Sequence, residues 1–170
     1  MKTMISFLSV TVFPLLMIVA GTGDALSMRI PNWLTLLIAL AFFPMAIMAG
    51  MPWSMVGVHV LVGLGLFAAG FVLFALGLFG GGDSKLLAAA GLWLGWADLM
   101  PFLVMTAFAG GILAICVAAW SAINVASEIK EGSVFRHLGK IKPNVPYGYA
   151  FAIGALLAFP QSWWMPVAQA

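Results

Sequence analysis

The chain has 170 residues, of which 64% are hydrophobic and only 7% charged. A soluble domain carries about 25% charged residues, so this composition excludes an ordinary water-soluble fold and points to a bilayer. The net charge of +2 is too small and too scattered for a nucleic-acid partner, and the lone Cys116, inside an apolar run, excludes an intramolecular disulfide and a cysteine-built metal site.

Lys2 precedes an apolar run from about Met4 to Gly23. Its outline is that of a signal peptide, but about 20 apolar residues span a bilayer and more spans follow, so it reads as the first transmembrane helix. Gly21 and Gly23 are expected to loosen its end just before Asp24. A short connector, Asp24 to Asn32, follows with Arg29 and Pro31; Pro31 suits the first turn of the next helix, where its missing N–H goes unmissed. Span two is expected from Trp33 to Gly50, kinked at Pro44. Met51-Pro52-Trp53-Ser54 reads as a tight interfacial turn.

Span three is expected from Met55 to Phe79. Gly63, Gly70 and Gly77 recur on one face, a pattern that lets helices approach closely in lipid. His59 reads as a buried, hydrogen-bonded histidine. Then comes Gly80-Gly81-Gly82-Asp83-Ser84-Lys85, an acid and a base at the joint between two apolar runs. A charge there is costly unless it lies near water or a partner, so it marks a functional site.

The next span, to Trp96, is short. About 13 residues from Ser84 reach only ~20 Å as a helix, less than the ~30 Å hydrocarbon core, so it is expected to be recessed or flanked by other helices. Trp93 and Trp96 are expected near its far interface, and Asp98 reads as a helix cap or solvated loop acid. Span five runs from Phe102 to Ile123. The one substantial polar stretch, about 124–146, holds Glu128, Lys130, Glu131, Arg136, His137, Lys140 and Lys142. It reads as a water-exposed loop able to meet anionic lipid headgroups or substrate. Pro143 and Pro146 lead into span six, Tyr147 to Trp164.

The expected fold is thus all-α, a polytopic bundle of about six transmembrane helices forming a single integral-membrane domain over residues 1–170. Connectors after spans one, three and five carry Arg29, Lys85, Lys130, Arg136, Lys140 and Lys142, whereas the opposite side carries Lys2. Positive charge favours the cytoplasm, so both termini are expected on the periplasmic side, with Asp24 and Asp83 at the cytoplasmic face.

Two nearby carboxylates titrate as a unit, because like-charge repulsion raises one pKa. The ionised member can take a proton from water while the protonated member hydrogen-bonds a scissile carbonyl, with no covalent intermediate, metal or cofactor. Other hydrolytic arrangements are missing from the sequence: no Cys–His pair stands at plausible depth, and neither G-x-S-x-G nor H-E-x-x-H occurs. Gly80 and Gly82, lacking Cβ atoms, would let a peptide approach Asp83 and allow positive φ. The run is not a phosphate loop, since it lacks G-K-[ST] and its acid would repel phosphate. Lys85 and Arg29 would tune the acids, contact substrate or anchor the membrane edge.

At these residues the sequence resembles the type IV prepilin peptidases, aspartic peptidases of the bacterial inner membrane. The resemblance rests on Asp24 with Arg29-Ile30-Pro31-Asn32, on Gly80-Gly81-Gly82-Asp83-Ser84-Lys85 followed by Leu86-Leu87-Ala88-Ala89-Ala90-Gly91, and on Pro146-Tyr147-Gly148. The G-x-G-D element is shared with presenilin-like intramembrane peptidases. The resemblance implies Asp24 and Asp83 as catalytic acids. It also implies a prepilin or pilin-like substrate cut at the cytoplasmic face before its hydrophobic helix, and other pilus-assembly proteins as partners. Long members of that family carry a cysteine-rich insert and also N-methylate the product. This sequence lacks the insert, so it resembles the short CpaA/TadV-like branch of the tight-adherence (Flp) pilus system, without implied methyltransferase activity. Two other readings remain open on the residues alone. One is a small proton-coupled carrier using Asp24, Asp83 and His59; the other is a non-catalytic pilus-assembly subunit.

Overall fold

The computed structural model describes residues 2–128 and 145–165. Among them are six α-helices and no strand: α1 (Lys2–Ser27), α2 (Asn32–Met48), α3 (Trp53–Ala75), α4 (Gly81–Leu94), α5 (Leu99–Glu128) and α6 (Tyr147–Ala158), followed by a 3-10 turn, Phe159–Gln161. The all-α architecture is the one expected from the successive long apolar runs. Most of the expected polar loop, residues 129–144, lies outside the described residues.

The helices are of two kinds. Val10–Ser27, Trp53–Ala75 and Leu99–Ile123 are long and apolar enough to cross a membrane. The other three, α2, α4 and α6, have 17, 14 and 12 residues. At 1.5 Å per residue they reach roughly 26, 21 and 18 Å, short of a ~30 Å hydrocarbon core. The two shortest sit at the centre. Nine of the 14 residues of α4 are buried, against five of 23 in α3. Helix α4 packs on α2, α3 and α6, and α6 packs on α1 and α5. The short fourth span is therefore flanked by protein, as its length demands.

Enclosure corrects one expectation. Trp93 is not interfacial but fully buried, stacked on Phe13 with ring centroids 5.1 Å apart and lying 5.0 Å from Trp164. Because α4 ends inside the protein, the Trp93 indole N–H donates to the Ile38 carbonyl at 2.8 Å rather than to water. Trp164 in turn donates to the Trp93 carbonyl at 2.8 Å. Trp96, one turn on, is exposed.

Small residues set the close approaches. Gly63 faces Ala88 and Leu92, and Gly70 faces Ser84, whose Oγ donates to the Gly70 carbonyl at 2.8 Å. These two glycines seat α3 on α4, as the seven-residue spacing implied. Gly77 does not join them. It lies beyond α3 in a turn with φ of +74° and open space around it.

Helix α1 does not end before Asp24. It continues to Ser27, so Asp24 stands in its last turns rather than in a connector. Gly21 does not loosen the helix; it brings α1 against α6, where an added Cβ would lie 2.6 Å from that of Ala152. The end is closed by Ser27 Oγ donating to the Gly23 carbonyl and by the Met28 N–H donating to the Asp24 carbonyl, both at 2.7 Å. Met28 adopts φ of 52°, a left-handed cap that a side chain tolerates at a cost of about 1 kcal/mol.

Candidate active site

Three helix ends meet at one end of the bundle. The last turns of α1 carry Asp24. The first turn of α4 carries Asp83, its third residue. The first turn of α6 carries Gly148, whose backbone N–H donates to Asp24 Oδ2 at 2.8 Å. Asp24 is 5% exposed; Asp83 is partly buried. Both acids line a cleft of about 570 Å³ with Arg29, Ile30, Asn32 and the glycines Gly80, Gly81 and Gly82. The two carboxyls are close enough for the charge of Asp24 to act on Asp83.

Local sequence explains how Asp83 is held. Gly80 caps α4, and Asp83, three residues on, reaches back to accept a hydrogen bond from the Gly80 N–H. This is one half of a capping box. It brings Asp83 Oδ2 so near that a Cβ on Gly80 would lie 2.6 Å from it. The expectation of positive φ in the triplet is not met. Gly80 has φ of −74°, and the positive-φ glycines are Gly50, Gly77 and Gly95. Close approach, not backbone handedness, is what requires glycine at 80 and 82; at Gly82 a Cβ would meet that of Ile30 at 3.2 Å.

Two apolar residues lock the three helix ends together. Ile30 is buried between Gly82 and Gly148. Phe79, just before the glycines, packs its ring 5.8 Å from that of Tyr147 and 5.9 Å from that of Phe151 on α6. The glycine segment and the α6 terminus are thereby fixed to each other.

Asp83 lies outside the candidate membrane spans, in a setting that disfavours its charge. Burial, and then the Asp24 charge, push its pKa from 3.8 up to about 6, against a smaller opposing effect of the Gly80 hydrogen bond. A pair in which one carboxyl keeps its proton to near pH 6 can present an acid and a base together.

Lys85 is exposed, and its Nζ donates to Asn32 Oδ1 at 2.8 Å, tying α4 to the start of α2. Arg29 is exposed at the cleft wall. Among the described residues no third His, Cys, Asp or Glu joins the two acids in a metal-binding group. Asn32, Ile30 and Gly148 were present in the motifs but were not legible as site residues, because their parts are played through contacts between distant helix ends.

Other chemistry-bearing residues lie elsewhere. His59 is buried, with Nδ1 2.8 Å from the Leu92 carbonyl, and it lines a separate cavity with Asp98. It does not join the acids, as a shared proton path would need. Asp98 is 6% exposed, not a solvated loop acid, and burial raises its pKa. It precedes α5, where its backbone carbonyl, rather than its carboxylate, accepts from the Phe102 N–H at 3.0 Å. Cys116 is exposed on α5.

A family model described as the type IV leader peptidase family matches residues 11–115, well over half of the chain and both acids of the cleft. No curated protein and no solved structure matches.

Proposed function

Because the chain belongs to the type IV leader peptidase family, we propose that it is an aspartic endopeptidase in which Asp24 and Asp83 together activate water. Prepilin leader cleavage is the activity of the family. The observation that carries this reading is the convergence of the two acids on one cleft, with the charge of one felt by the other.

Asp24, hydrogen-bonded by the Gly148 N–H, is the ionised partner that accepts a proton from water. Asp83, which holds its proton to about pH 6, donates a hydrogen bond to the scissile carbonyl oxygen. Water adds to the carbonyl carbon as one of its protons passes to Asp24 and the Asp83 proton passes to the carbonyl oxygen, giving a diol; the C–N bond then breaks as Asp24 gives its proton to the departing amine and a diol hydroxyl returns a proton to Asp83. Gly80, Gly81 and Gly82 leave the cleft floor without side chains, so an extended peptide can lie against Asp83. Arg29 and Lys85 favour a cytoplasmic position for this face, consistent with a bacterial inner-membrane protein whose termini are periplasmic. The substrate is a pilin-like precursor of the Flp type, processed by a single-domain enzyme.

The test is processing of an Flp-type precursor by purified protein in vesicles. Asp24→Asn and Asp83→Asn should each lose cleavage by about 10³-fold or more, since neither carboxyl can do both jobs. Full cleavage by either variant would remove the mechanism.

A further inference from the structure

A second concavity opens beside the cleft. Helices α2 and α3 each pack on α4 much more than on each other. The gap between them is a groove of about 520 Å³ open at the outer surface of the bundle. Its floor and lower walls are small: Ala88 and Ala89 of α4, Ala39 of α2 and Gly63 of α3. Its rim is large, apolar and exposed: Leu36, Leu64 and Phe67, at 58%, 59% and 43%.

We propose that this groove docks the apolar segment of the substrate that follows the scissile bond, an inference that rests on the peptidase reading above. Three observations select a peptide helix as occupant. First, Asn32 lines both the groove and the acid cleft, so a chain leaving the acids passes directly into the groove. A lipid chain has no need of that continuity. Second, a floor of Gly and Ala between larger walls is the surface on which another helix backbone approaches closely in lipid. From Asn32 to Phe43 the groove follows about 16 Å of α2, the length of roughly three turns of a docked helix. Third, Lys85 stands at the entrance, held by the neutral Asn32 Oδ1, and no carboxylate pairs with it among the described residues. A cation at the start of the incoming apolar segment would meet Lys85 directly, so the groove takes a segment whose first turn is uncharged or acidic.

The experiment compares two substrates in phosphatidylcholine vesicles. One is a pilin-like precursor with its apolar segment. The other is a peptide with the same leader and scissile bond that stops before that segment. Ala39→Trp fills the groove. It should lower kcat/KM for the precursor by about tenfold, mostly through KM, and leave the short peptide within about twofold of wild type. No loss on the precursor, or an equal loss on both substrates by a folded variant, overturns the proposal.

Cross-linking decides the matter if Ala39→Trp does not fold. In a Cys116→Ser background, Leu64→Cys should capture a cysteine placed in the precursor's apolar segment, while the wild-type protein, whose lone Cys116 lies exposed on α5 away from the groove, should not. Capture of a second copy of the chain instead overturns the proposal. So does labelling by a photoactivatable phospholipid that excess precursor fails to displace. Should wild type cleave neither substrate, the peptidase reading fails by itself, and the cross-link still reports whether the groove holds the segment.

Discussion

In the proposed mechanism Asp83 carries the pH dependence. Its pKa is raised from 3.8 to about 6, so the protonated form persists some two units higher than in a solvated aspartate. In the proposed mechanism this proton is required, and activity is lost as pH rises through the folded-state value. Above about pH 6 the protonated fraction falls tenfold per unit, to roughly one part in a hundred at pH 8. The kcat/KM profile of the vesicle-bound protein should therefore show an alkaline limb near pH 6; a profile flat to pH 8 would contradict Asp83 as the acid. Gly80 offers a steric counterpart. An added Cβ there collides with Asp83 Oδ2 at 2.6 Å, whereas at Gly81 it meets only the Phe74 ring, at an ordinary 3.4 Å. Gly80→Ala should cost about 10²-fold in kcat/KM by displacing the carboxyl, and Gly81→Ala should stay within about threefold. Equal effects of the two would show that close approach is not what the first glycine provides.

At the scale of elements, the site is made of three helix ends rather than of any one helix. The first turn of α6 supplies a backbone N–H to Asp24, and its glycine is there for space. A Cβ on Gly148 would sit 2.9 Å from Asp24 Oδ2 and 2.6 Å from Ile30 Cδ1. Gly148→Ala should lower kcat/KM by about 10–10²-fold with little change in expression, and Ile30→Val in the same chain should recover part of the loss by removing one of the two clashes. Kinetics of the two single variants and the double variant measure that coupling; strict additivity would mean the clashes are unrelated. The G-G-G-D segment and the acid ending the first span were readable as a site because charge between apolar runs is rare. The α6 terminus was readable only as a motif, because a backbone N–H has no signature of its own in a sequence.

At the scale of the molecule, two short helices, α4 and α6, form the interior, and the long apolar helices α1, α3 and α5 lie around them. In lipid such an arrangement is held by packing and satisfied polar groups more than by water exclusion. Trp93 is the centre of that packing, linking α1, α2, α4 and the segment after α6 through Phe13, Ile38 and Trp164. Trp93→Ala should destabilise the fold by about 3 kcal/mol and lower the thermal midpoint in detergent, without moving the pH profile of whatever enzyme remains folded. A shift of that profile would mean the core and the acid pair are coupled.

Composition, 64% hydrophobic and 7% charged, pointed by itself to a bilayer, and apolar runs of about 20 residues pointed to helices, because such a run satisfies its backbone in lipid by its own hydrogen bonds. The order of charges along the chain singled out Asp24 and Asp83, since each uncompensated charge beside an apolar run needs a reason. Tertiary structure decided the rest: that α1 carries Asp24 on a helix, that Gly148 holds it, that Trp93 is core and Asp98 buried, and that α2 and α3 part over α4 to leave a groove. These are contacts between residues as far as 124 positions apart, as in the Gly148–Asp24 hydrogen bond. Local patterns of polarity fix what each segment is, but only the packing of helices of unequal length fixes which ends come together.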